Sequence, residues 1–342
     1  MPEHGGNINI ASLRYDRPVA EWLDLSTGIN PDAWPVPTLD TSAWTDLPQQ
    51  DDGLIEVAQN YYGARSLLPV SGSQAAIQLL PQLRPQSIVA TVEPSYNEHA
   101  YRWQQAGHQL RVINDQNIDA AINALDVLVI VNPDNPSGRV FDQQTLLDWH
   151  RKLSQKGGWL IVDEAFMDST PEQSLAAQSH LPGLIVLRSV GKFFGLAGIR
   201  CGFVLSEMDL LHRLAEALGP WAVSGPAREV AKQALADQHW HQAMRKELVL
   251  KRKRLNDLLR QSGLTPQGET NLFQWVIHPQ ADYIHDRLAK EGIWIRYFDK
   301  PASLRFGYPD NEKGWNRLRQ TLLMIMQDQK IESIRGLASA AY

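Results

Sequence analysis

Residues 127–140 read VLVIVNPDNPSGRV. Five consecutive apolar residues, mostly β-branched, make a short strand with no polar face. That is the pattern of a strand buried on both sides in a parallel sheet. The run then breaks into two Asn-Pro pairs and a glycine, which force an irregular, rigid loop. This loop aims Asn132 and Asn135 at the end of the strand. The same alternation continues in both directions. Strands are predicted at 67–70, 87–92, 159–162, 184–187 and 202–205. Helices are predicted at 52–62, 73–83 (despite Pro81), 97–106 and 143–156, the last stopped by Gly157 and Gly158. Strands alternating with helices predict an α/β fold whose mostly parallel sheet is covered on both faces.

Composition agrees with a globular chain. Of 342 residues, 43% are hydrophobic and 21% charged, which excludes a disordered chain, a collagen and a coiled-coil rod. The formal net charge of −5 offers no general attraction for nucleic acid or an anionic membrane. The single cysteine, Cys201, reads as a small buried hydrophobe. It permits no intrachain disulfide and points to a reducing, cytoplasmic compartment. The opening residues MPEHGGNINIASLRYDRP lack the apolar core of a signal peptide, and no apolar run reaches the roughly 20 residues of a membrane span. The ten histidines are dispersed without metal-ligand spacing, so no metal is expected.

After residue 207 the pattern turns helical. The basic run at 245–254 is interrupted by Glu247, Leu248, Val249 and Leu250, and so reads as an amphipathic helix with a solvated face rather than a nucleic-acid patch. Residues 270–326 read as a smaller α+β unit: the strand LFQWVI, the helix DYIHDRLAKEG, the strands IWIRYF and SLRFGY, and a final helix. The expected division is an N-terminal arm at 1–45 that joins the small domain, a large domain at 46–240, and a C-terminal small domain at 241–342.

Four segments each follow a predicted strand, where ligands of open parallel sheets bind. SGSQ at 71–74 offers free N–H groups at a helix start, or a plain serine cap. The loop after 131 carries Asn132 and Asn135. IVDEAF at 161–166 places Asp163 and Glu164 at a buried strand end. A carboxylate there needs a partner, because desolvating a lone charge is costly; a cationic cofactor nitrogen would serve, as would an arginine or lysine. In LRSVGKFFGLAGIRCGF at 187–203, Lys192 sits in a turn beside two phenylalanines. A lysine in an apolar pocket can act as a nucleophilic amine toward a carbonyl.

N-P-x-N-P-S-G, D-E-A-F and S-x-G-K-F-F-G-L-A-G-I-R, in that order, resemble the class I/II aminotransferase group of fold-type I pyridoxal-phosphate (PLP) enzymes. The likeness runs from about Asn30 to the SLRFGYP segment. EHGGN, WLDLSTGINP and LPQQDDGL followed by YYGA are similar to a branch close to the histidinol-phosphate aminotransferases. The resemblance implies a large α/β/α domain with a smaller α+β domain, PLP as cofactor, a homodimer, and a phosphorylated amino acid as substrate. It implies decarboxylation of O-phospho-L-threonine to (R)-1-amino-2-propanol phosphate, the linker of the cobalamin nucleotide loop. The alternative is transamination of histidinol phosphate or another phosphorylated amine.

The resemblance also assigns roles. Lys192 would hold PLP covalently and move protons at Cα, Asp163 would pair with the pyridine N–H, and Tyr96 would stack on the ring. Asn135 would bond the ring O3′ and meet substrate. Gly72, Ser73, Gln74, Ser189 and Arg200 would hold the cofactor phosphate. Arg305 would take the substrate carboxylate, and His4, Gly5, Asn30 and Arg296 would contact the phosphorylated substrate. The chain departs from the family at three places. Phe166 stands where a tyrosine is frequent, and Gly191 where a phosphate-binding serine is common. Asp46, Leu47 and Pro48 stand where many relatives carry Arg-Tyr-Pro, whose tyrosine crosses the dimer. Tyr61 and Tyr62 are the candidate substitutes, with packing as their default role.

Overall fold

The structure, a computed structural model, describes residues 5–339, with side-chain surroundings described to residue 328. The chain folds as two compact units. Asp32–Lys246 forms the larger one. Among the described residues, the segment up to Pro31 joins the chain from Glu247 onward to form the smaller.

The larger unit is built on a seven-stranded sheet. In spatial order its strands are Leu67–Val70, Gly202–Leu205, Leu184–Ser189, Trp159–Asp163, Val127–Val131, Ile88–Val92 and Gln109–Ile113. Gly202–Leu205 runs antiparallel to both of its neighbours, and every other pairing is parallel. Val127–Val131 and Trp159–Asp163 are buried throughout, as two-sided coverage requires. Val127, Val129, Ile161, Ile185 and Leu187 pack with Ala76, Ile77 and Trp103 of the helices Ser73–Leu79 and Glu98–Gln105. The intervening Leu128, Ile130, Leu160, Val162 and Val186 are also buried, and successive side chains on a strand face opposite ways.

The structure adds detail beyond the sequence reading. The strand Gln109–Ile113 closes one edge of the sheet; its mixed composition, QLRVI, suits a half-exposed edge and carries no continuous apolar signal. At the opposite edge, Leu67–Val70 includes Pro69. The helix expected over 73–83 is α-helical only over Ser73–Leu79 and tightens to a 3-10 turn at Leu80–Leu83, because Pro81 has no N–H to continue the ladder. Downstream, the polar stretch forms two helices, Gly225–Ala236 and Gln238–Gln261. They part at Asp237, whose Oδ1 accepts the Trp240 N–H at 3.0 Å, an N-cap contact.

In the smaller unit an antiparallel sheet runs in the order Arg296–Phe298, Ser303–Phe306, Phe273–Ile277, Gly268–Thr270. The expected strand IWIRYF is divided. Ile293–Trp294 pairs in parallel with Leu23–Asp24, while Arg296–Phe298 joins the antiparallel sheet. The first pairing ties the N-terminal segment into this unit. No helix among the described residues is long and apolar enough to cross a membrane.

Leu160 is fully enclosed. Leu160→Ala is therefore expected to lower the unfolding free energy by about 3 kcal/mol in a denaturant titration. Val112→Thr, on the half-exposed edge strand, is expected to move it by less than about 0.5 kcal/mol.

Candidate active site

The predicted site segments of the larger unit gather at the carboxyl ends of its parallel strands. Gly72 and Ser73 follow Leu67–Val70, Tyr96 follows Ile88–Val92, Asn135 follows Val127–Val131, Asp163 ends its own strand, and Lys192 follows Leu184–Ser189. Arg200 reaches the same end by the opposite route. It precedes the reversed strand, whose Gly202 pairs with Val70 on one side and Ser189 on the other.

At Gly72 the backbone is left-handed, with φ of 70°. A Cβ there would lie 2.6 Å from Arg200 Nη2, so the missing side chain is what admits the guanidinium. Arg200 itself holds φ of 53°, and its Nη1 donates to the Ala197 carbonyl at 3.1 Å. The first N–H groups of the helix that opens at Ser73 have no partner within that helix. A guanidinium beside free N–H groups suits a phosphate. The side chain of Gln74 is used otherwise. Its Nε2 donates to Glu98 Oε2 at 2.7 Å, and its Oε1 accepts the Tyr96 hydroxyl at 3.3 Å. Burial, then the Asp163 and Glu98 charges, raise the Tyr96 phenol above its ordinary range, so it remains a neutral donor.

Asp163 is buried and partnered. His99 Nε2 donates to its Oδ2 at 2.9 Å, and the Ala165 N–H donates to Oδ1 at 3.1 Å. His99 did not emerge from the sequence. Its ring lies 6.1 Å from that of Tyr96, edge to face. The other acid of the pair, Glu164, takes the arginine option. Arg188 Nη1 meets its Oε2 at 2.5 Å, and both side chains are almost wholly buried.

Asn132 holds its own loop, accepting the Phe141 N–H at 2.8 Å and donating to the Phe141 carbonyl at 3.2 Å. Asp134 fixes the rest of that loop, accepting Ser95 Oγ and Ser137 Oγ at 2.5 Å each. Burial pushes its carboxyl up, and the serine hydrogen bonds work against that. Asn135 is left half-buried at the strand end. Lys192 is also half-buried, with Nζ 5.5 Å from the centre of the Phe166 ring. Ser189 Oγ accepts the Gly191 N–H at 3.2 Å. A Cβ at Gly191 would stand 3.3 Å from that Oγ and 3.2 Å from Ala197 Cα, so the glycine keeps room for Ser189. Tyr61 donates to Asp168 Oδ1 at 3.2 Å and Tyr62 is buried; both pack within the larger unit. Cys201 is buried, which pushes its thiol up to about 12.

The remaining predicted residues lie in the smaller unit, apart from His4, which is outside the described residues. Gly5 and Arg305 converge on Ser26. A Cβ at Gly5 would lie 2.5 Å from the Ser26 carbonyl oxygen, and Arg305 Nη2 donates to that same oxygen. Ser26 is held in turn by Asp24, whose Oδ1 accepts from its N–H at 2.9 Å and its hydroxyl at 2.7 Å. Nothing in the sequence singled out Ser26. Arg296 stands directly across the strand pair from Arg305. Burial, then the Arg296 charge, push the Arg305 guanidinium down to about 9. Two arginines face to face favour a bound anion. Asn30 is buried in this unit.

The donor set in the larger unit fits PLP: a primary amine beside an apolar ring, a buried carboxylate held by a histidine, and a guanidinium seated where a Cβ would intrude. Comparison with known proteins agrees. Residues 40–318 match the family described as aminotransferase class I and II. The chain is 53% identical to a threonine-phosphate decarboxylase of Pseudomonas aeruginosa over 94% of its own length and 98% of the relative's. It is 40% identical to one from a Sinorhizobium species, over 93% of this chain and 97% of that one. Among solved structures, a histidinol-phosphate aminotransferase from Sinorhizobium meliloti, in complex with pyridoxal-5'-phosphate, superposes with a TM-score of 0.83. It is 21% identical and covers 96% of each chain, a likeness that shows the fold. The chain belongs to the aminotransferase class I and II family.

Proposed function

We infer that this chain is a PLP-dependent decarboxylase acting on O-phospho-L-threonine. The observation that carries the reading is the near-full-length identity to the Pseudomonas relative. When bound, PLP supplies an aldehyde carbon for an amine and a protonated pyridine ring that accepts the electron pair left at Cα. Lys192 holds the cofactor through Nζ and returns a proton to Cα. Asp163 would pair with the ring nitrogen, and His99, donating to Asp163 Oδ2 at 2.9 Å, keeps that carboxylate aimed. Asn135 would bond the ring hydroxyl, and Tyr96 would stack on the ring. Arg200, Ser189 and the N–H groups of Ser73 and Gln74 hold the cofactor phosphate, with Gly72 making the room.

Arg296 and Arg305 take the two anionic groups of the substrate, together with His4, Gly5 and Asn30. Fixing the carboxylate decides which bond at Cα breaks. The Cα–carboxylate bond is released as CO2 and a proton takes its place, leaving 1-amino-2-propanol phosphate, the linker used in the cobalamin nucleotide loop. The reading includes a homodimer in the cytoplasm. Support for the dimer is the exposed apolar surface of the larger unit, where Trp44 and Trp221 are 68% and 58% exposed. Support for the compartment is the lone, buried cysteine.

PLP-loaded protein given O-phospho-L-threonine is expected to release CO2 and the amine phosphate. Given histidinol phosphate and 2-oxoglutarate, it is expected to form no glutamate; glutamate alone would replace the decarboxylase by the aminotransferase. Lys192→Ala should abolish both turnover and borohydride-fixed cofactor. Arg305→Gln should raise KM for phosphothreonine by about 10- to 100-fold through loss of a charge-assisted bond.

The phosphate cradle has its own test. Gly72→Ala strains a left-handed backbone and crowds Arg200. It should weaken PLP affinity about tenfold in a spectrophotometric titration.

A further inference from the structure

Behind the catalytic face lies a buried charge cluster that the reaction does not use. Asp163 pairs with Leu187 across adjacent parallel strands. Their successors Glu164 and Arg188 therefore share the opposite face. Arg188 is 1% exposed, and its guanidinium forks. Nη1 meets Glu164 Oε2 and Nη2 meets Asp168 Oδ1, both at 2.5 Å. Nη1 also reaches Ser174 Oγ at 3.1 Å. Glu164 is further bound by Ser174 Oγ at 2.5 Å and the Leu175 N–H at 2.8 Å. Asp168 accepts the Tyr61 hydroxyl at 3.2 Å, and Arg245 Nε donates to the Asp168 carbonyl at 3.0 Å. One arginine thus ties down both ends of the segment that runs from Glu164 to Leu175.

That segment begins beside Asp163 and carries Phe166, the ring that faces Lys192. Arg188 itself adjoins Ser189 and stands four residues before Lys192. A buried ion cluster is poor value as a stabiliser, since desolvation consumes most of its Coulomb energy, but it enforces one geometry. A lysine could not replace the arginine, because a point charge lacks the planar fork that spans two carboxylates.

We propose that Arg188 is a positioning residue for cofactor chemistry, its fork to Glu164 and Asp168 locking the strand that ends in Asp163 against the strand that leads to Lys192. This inference rests on the reading that Lys192 and Asp163 hold PLP, and not on which substrate is used.

The test compares Arg188→Lys with the unsubstituted protein by three measurements: PLP affinity, the pH profile of the bound cofactor's absorbance, and kcat and KM for O-phospho-L-threonine. Thermal unfolding is followed alongside. Arg188→Lys should weaken PLP binding about tenfold, move the absorbance midpoint, and lower kcat about 10- to 100-fold with KM within about twofold. Ser174→Ala, which removes one neutral donor and leaves both ion pairs, should shift the same readouts in the same direction by about threefold. Should Arg188→Lys fold, lose only thermal stability and keep its cofactor affinity, absorbance profile and kcat, the proposal is wrong and the cluster is packing alone. Should it fail to fold, Ser174→Ala decides by the same readouts, and unchanged values overturn the proposal. The first two measurements need no substrate. A chain that shows the cofactor effects but releases no CO2 would therefore refute the decarboxylase and leave this inference standing.

Discussion

Gly202 pairs with Val70 on one side and Ser189 on the other, and a Cβ there would lie 2.7 Å from both the Arg188 carbonyl and the Ser73 amide. Both obstacles are backbone, so nothing but glycine closes the sheet at this point. The strand it opens is the one reversed strand, and reversal is what brings Arg200 to the end of the sheet where the parallel strands deliver Ser73, Asp163 and Lys192. A slip of one residue in that pairing would turn every side chain of the strand to the other face and withdraw Arg200 from Gly72. The guanidinium, the helix start and the lysine turn are held in common by one narrow register.

Several carboxylates lie buried around the strand ends, each held by its own set of partners. Asp134 is bound by two serines, Asp163 by a histidine, Glu164 by an arginine and a serine, and Asp168 by the same arginine and a tyrosine. The sorting has a chemical result. Arg188 is held charged above its ordinary range by Asp168 and Glu164, although burial opposes it, so the two acids behind the sheet are neutralised where they stand. Asp163 is bound instead by His99 and the Ala165 N–H. Adjacent residues in one motif, Asp163 and Glu164, thus have separate partners.

Much of this was legible in the sequence because the parallel core writes itself plainly. VLVIV and WLIV can be little else than strands covered on both faces, and a loop rich in Asn, Pro, Ser or Gly after each one marks where function gathers. The ordered motifs then implied the family and PLP, and the family match upholds both. Other parts were hidden for physical reasons. His99 matters through a neighbour 64 residues away, and a lone histidine on a helix has no local signature. Glu164 was equally open to a cofactor or a cation until Arg188 was seen beside it. QLRVI pairs as a strand because Ile88–Val92 offers it an edge, not because its own pattern demands it. Ser26 acquires importance only because Gly5 and Arg305 both reach its carbonyl oxygen.

The two borders of the large sheet carry a further meaning. An open sheet ends in rows of unpaired N–H and C=O groups that can recruit another strand. At one border Pro69 removes a donor from Leu67–Val70, a substitution that sheets tolerate only at their edges. At the other, Gln109 and Arg111 stand in the outermost strand, where polar and charged side chains discourage continuation. Growth of the sheet from one molecule into the next is therefore opposed on both flanks. A contact between copies would have to use side-chain surfaces rather than strand pairing.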